Sequence, residues 1–152
     1  MRIALGSDHA GFELKDNLKN SLIEWGVEVL DLGANDSTTS VDYPDYGAAV
    51  GHAITSGKAD LGVAVCGSGI GISIAANKVA GIRAALVHDV TGAHLAREHN
   101  HANVLCFGSR LTGSVVAIEA LRAWLDATPG DGRHLQRIDK LSALDSQENE
   151  RD

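Results

Sequence analysis

Short apolar runs alternate with amphipathic segments along most of the chain. The apolar runs end in glycine or polar clusters, as buried parallel strands do, and they cover residues 2–6, 27–33, 61–67, 82–89 and 103–108. The segments between them have helical period, and in the first of them Leu14, Leu18 and Leu22 recur at four-residue steps. This pattern predicts helices over residues 12–25, 44–56, 73–79, 91–98 and 115–125. The chain is therefore predicted to alternate strand and helix.

A turn cluster at residues 128–132 separates this alternation from one more helical segment, predicted over residues 133–144. Residues 146–152 are wholly polar and are predicted to form a frayed tail. The whole pattern predicts one α/β domain over residues 1–145. It is a three-layer, Rossmann-like α/β/α sandwich with a five-stranded parallel sheet and an appended C-terminal helix. Ligands of such sheets bind outside the carboxyl ends of the strands.

The composition narrows the class of ligand. The chain has 152 residues, a formal net charge of −7 and 17 glycines. Negative charge argues against a nucleic-acid or membrane surface, and no apolar run approaches the ~20 residues of a spanning helix, so a small molecule is the expected partner. The first residues lack a signal-peptide pattern, and Cys66 and Cys106 lack metal-binding or disulfide spacing. We therefore expect a reduced, cytoplasmic protein.

Polar and reactive residues follow four of the predicted strands. They are Ser7-Asp8-His9, the loop Cys66-Gly67-Ser68-Gly69-Ile70-Gly71, His88-Asp89 and Gly108-Ser109-Arg110. Three alternating glycines between a strand and a helix present backbone N–H groups to an anion. This loop is therefore predicted to bind a phosphate or an enediolate oxygen.

The same glycines allow an alternative from another functional class. Gly67, Gly69 and Gly71 resemble the start of a dinucleotide-binding fingerprint, with Asp89 near the expected distance downstream. However, the third glycine comes one position early and the loop follows the third strand. A nucleotide-binding module is therefore the weaker hypothesis. A serine-hydrolase elbow is excluded because the residues around Ser68 do not read GxSxG.

Cys66 ends its predicted strand beneath the start of the next helix, a position that favours the thiolate. Most cysteines at strand ends are inert, so it is the adjacent glycine loop that makes a catalytic role for Cys66 the better interpretation. Cys106 has no such loop and is predicted to belong to the core. A redox-sensing role for Cys66 is weaker still, because the sequence places no resolving thiol nearby.

The remaining candidates are histidines and arginines. His99 and His101 are two residues apart, which separates them on a helix, so no metal site is expected. His99 followed by Asn100 is better interpreted as a proton donor beside a hydrogen-bonding amide. Arg133 and Arg137 share one helical face that could bind a phosphate, although spacing allows equally well a solvated face paired with nearby acids. Arg110 is a second candidate for the anion.

Several separate motifs together resemble the ribose-5-phosphate isomerase type B family in order and spacing. The resemblance covers nearly the whole chain, residues 1–144. The motifs are Ser7-Asp8-His9-Ala10-Gly11, Asp42-Tyr43-Pro44, the Cys66–Gly71 loop with Ala75-Ala76-Asn77-Lys78, Gly81-Ile82-Arg83, Arg97-Glu98-His99-Asn100, Phe107-Gly108-Ser109-Arg110 and Gly132-Arg133-His134. The resemblance implies interconversion of ribose 5-phosphate and ribulose 5-phosphate through an enediolate, without a metal or other cofactor.

The resemblance also implies roles for individual residues. Cys66 would be the general base that moves a proton between C2 and C1, and His99 would assist opening of the furanose ring. The substrate-binding residues it implies fall into four groups: amides that stabilise the enediolate (Gly67, Ser68, Gly69, Ile70, Gly71), hydroxyl and carbonyl contacts (Asp8, Asn100), phosphate ligands (His9, Arg110, Arg133, Arg137) and a pocket wall (Tyr43).

Family members form dimers whose active sites draw on both subunits, so the resemblance implies at least a homodimer, compatible with a dimer of dimers. One branch of the family uses a glutamate base where this chain has Ile72, and this sequence is similar to the cysteine branch. Galactose-6-phosphate isomerase subunits are the close alternative, but one of them lacks the base cysteine and the other departs from the Glu98-His99-Asn100 and Gly132-Arg133-His134 segments, both of which this chain keeps. Relatives that act on allose 6-phosphate or tetrulose phosphates share nearly all the chemistry. The substrate therefore stays open among them, and the loop between Gly33 and Asp42 is a candidate for setting its length.

Overall fold

The computed structural model describes residues 1–148, and it shows the predicted alternation of strand and helix. The strands are β1 (Arg2–Ser7), β2 (Glu28–Asp31), β3 (Leu61–Cys66), β4 (Ala84–Leu86) and β5 (Val104–Gly108). The helices are α1 (Phe12–Glu24), α2 (Tyr43–Thr55), α3 (Ile70–Asn77), α4 (Val90–Asn100), α5 (Ser114–Asp126) and α6 (Arg133–Glu148).

Within the described residues, five parallel strands form one sheet in the order β2-β1-β3-β5-β4. Successive residues of β1 face opposite sides: Ile3 and Leu5 pack into a core with α1, α4 and α5, whereas Ala4 packs into a core with α2 and α3. Helices thus cover both faces of the sheet. The predicted three-layer α/β/α architecture is confirmed.

The strand order places a crevice between β1 and β3. The chain leaves β1 for β2 on one side and returns to β3 on the other, and the crevice of an open α/β sheet lies where the winding reverses. Ser7 pairs with Val65 in the register of β1 and β3, and the Asp8 amide donates to the Val65 carbonyl at 3.3 Å. Asp8 and Cys66 therefore flank the crevice.

The start of α3 and the extent of β4 were predicted wrongly. Helix α3 begins at Ile70, not at residue 73, because Gly69 adopts a left-handed conformation with φ 76° and turns the chain straight into the helix. Strand β4 covers only three residues of the predicted 82–89. The chain bends after it, and the Asp89 carboxylate caps α4 by accepting a hydrogen bond from the Gly92 amide at 2.6 Å.

The C-terminal helix is longer than its sequence pattern indicated. Helix α6 continues to Glu148, beyond the predicted end at residue 144, so the predicted tail is helical over residues 146–148, and residues 149–152 lie outside the described part of the chain. Of the helices just given, none combines the length and apolar character that a bilayer-spanning segment needs.

Candidate active site

Cys66 lies at the carboxyl end of β3 and is 3% exposed. The Gly69 amide donates a hydrogen bond to its Sγ at 3.1 Å, because the glycine loop folds back over the end of the strand. A side chain at Gly69 would not fit, since a Cβ there would lie 2.5 Å from Leu86 Cδ1 and 2.7 Å from the Phe107 carbonyl carbon. The loop therefore holds a backbone donor against the sulfur.

The start of α3 leaves further amides without a hydrogen bond inside the helix. The first backbone bond of the helix is donated by Ser73 to the Gly69 carbonyl, so the amides of Gly71 and Ile72 precede it and have no acceptor within the helix. The Ile70 amide instead donates to Ser68 Oγ at 3.2 Å. The predicted cradle of loop amides is thus partly engaged within the loop itself.

Cys106 contrasts with Cys66. It is fully buried within β5, and burial raises the pKa of its thiol, with the neighbouring Cys66 adding to the rise. A thiol held neutral inside the core cannot act as a base at neutral pH. The prediction that Cys106 is a core residue is confirmed.

The end of β1 contributes Asp8 and His9. Asp8 is buried and its Oδ1 accepts a hydrogen bond from the Gly11 amide at 2.9 Å, which fixes the carboxylate beside the crevice. His9 Nδ1 accepts a hydrogen bond from the Val41 amide at 3.2 Å. In the neutral ring this contact puts the proton on Nε2, which is then a donor for a ligand.

The contact to Val41 connects His9 to the loop that precedes α2. Asp36 shapes this loop by accepting hydrogen bonds from the Thr38 and Thr39 amides at 2.8 and 2.6 Å. Those amides, together with the threonine hydroxyls, lower the pKa of Asp36 to about 2. Its carboxylate stays charged at neutral pH and keeps the loop in place.

Arg110 and Tyr43 close the site around the glycine loop. Arg110 lies over Gly67, where a Cβ would be 3.1 Å from one guanidinium nitrogen, and its amide donates to the Gly67 carbonyl at 3.0 Å. The Tyr43 ring lies against Gly71, where a Cβ would be 2.5 Å from the ring. The structure therefore brings together the predicted residues Asp8, His9, Tyr43, Cys66, the glycine loop and Arg110.

The other predicted residues lie elsewhere. His99 and Asn100 end α4, which leads into the amino end of β5, whereas Cys66 pairs with Gly108 at the carboxyl end. Strand β5 covers five residues, so the two edges are about 13 Å apart along the sheet. Arg133 and Arg137 are exposed on the first turns of α6, whose His134 stacks on His99. One chain does not bring these residues to Cys66.

Arg83 is a residue of this second edge to which the sequence pattern gave no role. Its Nε donates to the Asn100 carbonyl at 3.1 Å, and its guanidinium also donates to the His101 carbonyl at 3.1 Å. The Arg83 amide in turn donates to Asn103 Oδ1 at 2.8 Å. A cation on the last carbonyls of a helix stabilises that end, so Arg83 fixes the turn that carries His99 and Asn100. The Gly81-Ile82-Arg83 motif was its signal in the sequence.

The geometry bears on the alternative ligands. Asp89, which a dinucleotide site would use for a ribose hydroxyl, is engaged as the cap of α4. Across the residues that the structure describes, no three His, Cys, Asp or Glu side chains converge as a metal site would require. The groups that do converge are a thiol, a carboxylate, backbone amides and an arginine.

Comparison with known proteins places these features in a family. A family model described as Ribose/Galactose Isomerase matches residues 3–141. The chain is 46% identical to ribose-5-phosphate isomerase B of Escherichia coli, covering 97% of this chain and 99% of the relative. It is 38% identical to D-erythrulose-4-phosphate isomerase of Pectobacterium atrosepticum, covering 97% of each.

A solved structure agrees with the sequence matches. The fold superposes on ribose-5-phosphate isomerase B of Clostridium thermocellum with a TM-score of 0.94 and 44% identity, covering 97% of this chain and 99% of that one. The chain therefore belongs to the ribose/galactose isomerase family of aldose–ketose isomerases, in its ribose-5-phosphate isomerase type B group.

Proposed function

We propose that this isomerase interconverts ribose 5-phosphate and ribulose 5-phosphate, with Cys66 as the general base. The observation that carries the proposal is the Cys66 thiol at the crevice, under the Gly69 amide and beside the first amides of α3. The thiolate removes the proton from C2 of the open-chain aldose, and the electrons of that C–H bond form the enediolate. The same thiol then returns the proton to C1 while the O2 hydroxyl proton passes to O1, so that C2 becomes the carbonyl of the ketose.

The negative charge that develops on the enediolate oxygens needs preorganised donors. The amides of Gly71 and Ile72 have no acceptor within α3, and the positive end of the helix dipole points in the same direction. A donor of this kind is typically worth about 3 kcal/mol in the transition state. Asp8, fixed by the Gly11 amide, orders the sugar hydroxyls.

The phosphate is assigned to His9 and Arg110 at this edge, completed by Arg133 and Arg137 from elsewhere. His9 offers its Nε2 proton and Arg110 a guanidinium, both of which suit a phosphate oxygen. Because Val41 holds His9, the loop of residues 33–42 sets how far the phosphate lies from Cys66. That separation is what would select the length of the sugar chain.

We further propose a homodimer in which each active site combines the Cys66 edge of one copy with the His99 edge of the other. The support is that these edges lie at opposite ends of the sheet in one chain, so a single copy cannot join them. Ile70 and Ile74 of α3 are 51% and 55% exposed beside the glycine loop, which offers an apolar face for the second copy. His99 and Asn100 would reach the substrate ring and carbonyl from that copy.

The proposal is tested by a panel of four-, five- and six-carbon sugar phosphates assayed for aldose–ketose interconversion in the presence of a chelator. We expect the highest kcat/KM for ribose 5-phosphate, with no loss on chelation. A preference for a tetrulose phosphate, the class of substrate named for the Pectobacterium relative, would move this chain to that specificity. Binding of nucleotides alone would overturn the isomerase assignment. We also propose a cytoplasmic location, supported by two buried free cysteines.

A further inference from the structure

His99 is proposed to transfer a proton during opening of the furanose ring, and its side chain is partly exposed to solvent. Its side chain is 43% exposed, and its Nε2 lies 3.9 Å from Glu98 Oε2, too far for a hydrogen bond. The Glu98 carboxylate instead contacts His94 Nε2 at 3.1 Å. An exposed imidazole can turn about its side-chain torsions unless a hydrogen bond to one of its ring nitrogens holds it. Proton transfer, in contrast, needs a ring in a fixed orientation. Another contact must therefore fix it.

That contact is a stack with His134 at the start of α6. The two imidazole centroids are 4.5 Å apart and the ring planes differ by 12°, which is the separation and orientation of a stacked, nearly parallel aromatic pair. The stack covers one face of the His99 ring and leaves its edge, which carries both nitrogens, available to a ligand.

The chain between α5 and α6 is shaped to hold His134 there. The Gly130 amide donates to the Glu98 carbonyl at 2.8 Å, which ties the start of α6 to the end of α4. A Cβ at position 130 would lie 2.8 Å from His134 Cδ2 and 2.8 Å from the same carbonyl, so only glycine fits between them. The His134 amide donates to the Asp131 carbonyl at 3.1 Å. His134 is therefore held from both sides.

The groups around the pair set the protonation state of His134. Desolvation lowers the pKa of His134, and His99, Arg133 and Arg137 lower it further, against the opposing effect of Glu98. The other titratable groups nearby are His94 on α4, Asp131 before α6, and His101, whose Nε2 contacts the Gly130 carbonyl. His134 is thus neutral at neutral pH and can stack on His99 in either protonation state of that ring.

We propose that His134 is a positioning residue for the reaction, whose ring fixes the orientation of His99 for proton transfer to the sugar ring. The inference rests on the proposed function, in which His99 opens the furanose. It differs from a role as phosphate ligand, which the flanking Arg133 and Arg137 suggest for this turn, because it assigns the effect to the ring face. The face can be supplied by a ring without nitrogen.

The test compares His134→Ala, which removes the ring, with His134→Phe, which keeps it without a titratable group. We expect His134→Ala to lose about 10-fold or more in kcat on ribose 5-phosphate with KM nearly unchanged, and His134→Phe to restore most of the loss. Inorganic phosphate should bind both variants as it binds the wild type. His52→Ala, on the exposed face of α2, is the matched histidine control and should match the wild type.

Two readouts separate failure of this inference from failure of the proposed function. Wild-type turnover in His99→Ala overturns the role of His99 and the inference with it, whereas a loss in His99→Ala with wild-type turnover in His134→Ala overturns the inference alone. Equal losses in His134→Ala and His134→Phe, or weaker phosphate binding in both, also overturn it. In solution NMR, the His99 ring protons should shift in His134→Ala and less in His134→Phe, and this readout does not depend on turnover.

Discussion

Different kinds of groups shape the two edges of the sheet. At the carboxyl edge, backbone groups shape the site: the Gly69 amide contacts Cys66, the Gly11 amide contacts Asp8, and both side chains are buried. At the amino edge, half-buried side chains do so, with His99 against His134 and Arg83 on the last carbonyls of α4. Carbon–proton transfer needs a fixed, water-poor environment, and the buried edge is the one that supplies it.

Within one chain, the groups proposed for carbon–proton transfer and those proposed for ring opening therefore lie at different edges of the sheet. The edge with the proposed base is formed within one chain, whereas the edge with His99 and the α6 arginines is left open to solvent. Groups that are open in one copy become buried only if another molecule covers them. The strongest tests therefore alter one edge at a time and ask whether the other still functions.

The largest expected effect comes from removing the base. Cys66→Ala should lower kcat by about 10³-fold or more, because it removes the group that we propose takes the C2 proton. Exchange of the C2 proton with solvent deuterium should stop, while inorganic phosphate still binds. Cys106→Ala is the matched thiol control: it should keep turnover and lose about 1 kcal/mol of stability as a small core deletion. Turnover that survives in Cys66→Ala would remove Cys66 from the mechanism.

The next largest effect is a recovery of activity that only shared sites allow. Cys66→Ala and His99→Ala each damage a different edge, so a mixed dimer has one site with both edges intact. Random pairing makes about half of the dimers mixed, and the mixture should regain about a quarter of wild-type activity. The measurement is turnover after the two variants are unfolded and refolded together, against each refolded alone. No recovery in a sample shown to contain mixed dimers would contradict the shared site.

A smaller effect on kcat is expected from loss of Arg83, which holds the end of α4 at the amino edge of the sheet. Arg83→Met should lower kcat by about tenfold, because the carbonyls of Asn100 and His101 lose the guanidinium that holds the end of α4. Arg122→Met is the control, since Arg122 pairs with Asp126 on the surface of α5 and should leave the rate unchanged. Equal rates in the two variants would show that the turn at Asn100 holds without Arg83.

The smallest effect on catalysis is expected from Asp31→Asn, which removes an ion pair with Lys15. Its effect on stability should be larger. Lys15 is 1% exposed; its Nζ donates to Asp31 at 2.6 Å and to the Ala34 carbonyl at 2.8 Å, where the loop of residues 33–42 begins. Asp31→Asn should destabilise the fold by about 2 kcal/mol because it leaves a buried cation without its partner. The free energy of unfolding by urea measures this.

The effect of Asp31→Asn should depend on pH. Burial alone would raise the pKa of Asp31, but contacts with Lys15, Lys19 and the Gly33 amide outweigh it and lower the pKa below its ordinary value of 3.8. The carboxylate therefore stabilises the fold above that value, and the contribution is lost as pH falls through the lowered pKa. The difference between wild type and Asp31→Asn should be full at neutral pH and narrow below about pH 4. Asp139→Asn, on the exposed face of α6, is the control for the loss of one carboxylate.

Most of the fold was predictable because periodicity reports burial. Each strand was found from its apolar run, and the residues of the Cys66 edge were found because strand ends in a parallel sheet gather at one edge. The errors arose where local hydrogen bonds decide. Gly69 starts α3 early by adopting a left-handed turn, and Asp89 shortens β4 by capping α4. Arg83 and His134 lie in recognisable motifs, but their contacts join segments far apart in sequence, so the motifs alone could not show which groups they touch.

The sequence alone specifies which segments form the strands of the sheet, which residues are buried in its two cores and which reactive groups follow the strands. These features depend on hydrophobic period and residue type. It also identified His99 as a candidate but not its location relative to Cys66. The tertiary structure decided that the two lie at opposite edges, since the direction of α4 and the register of β5 against β3 set which end each residue occupies. Residue type sets the chemistry of a group, and the path of the chain sets which other groups lie close enough to act with it.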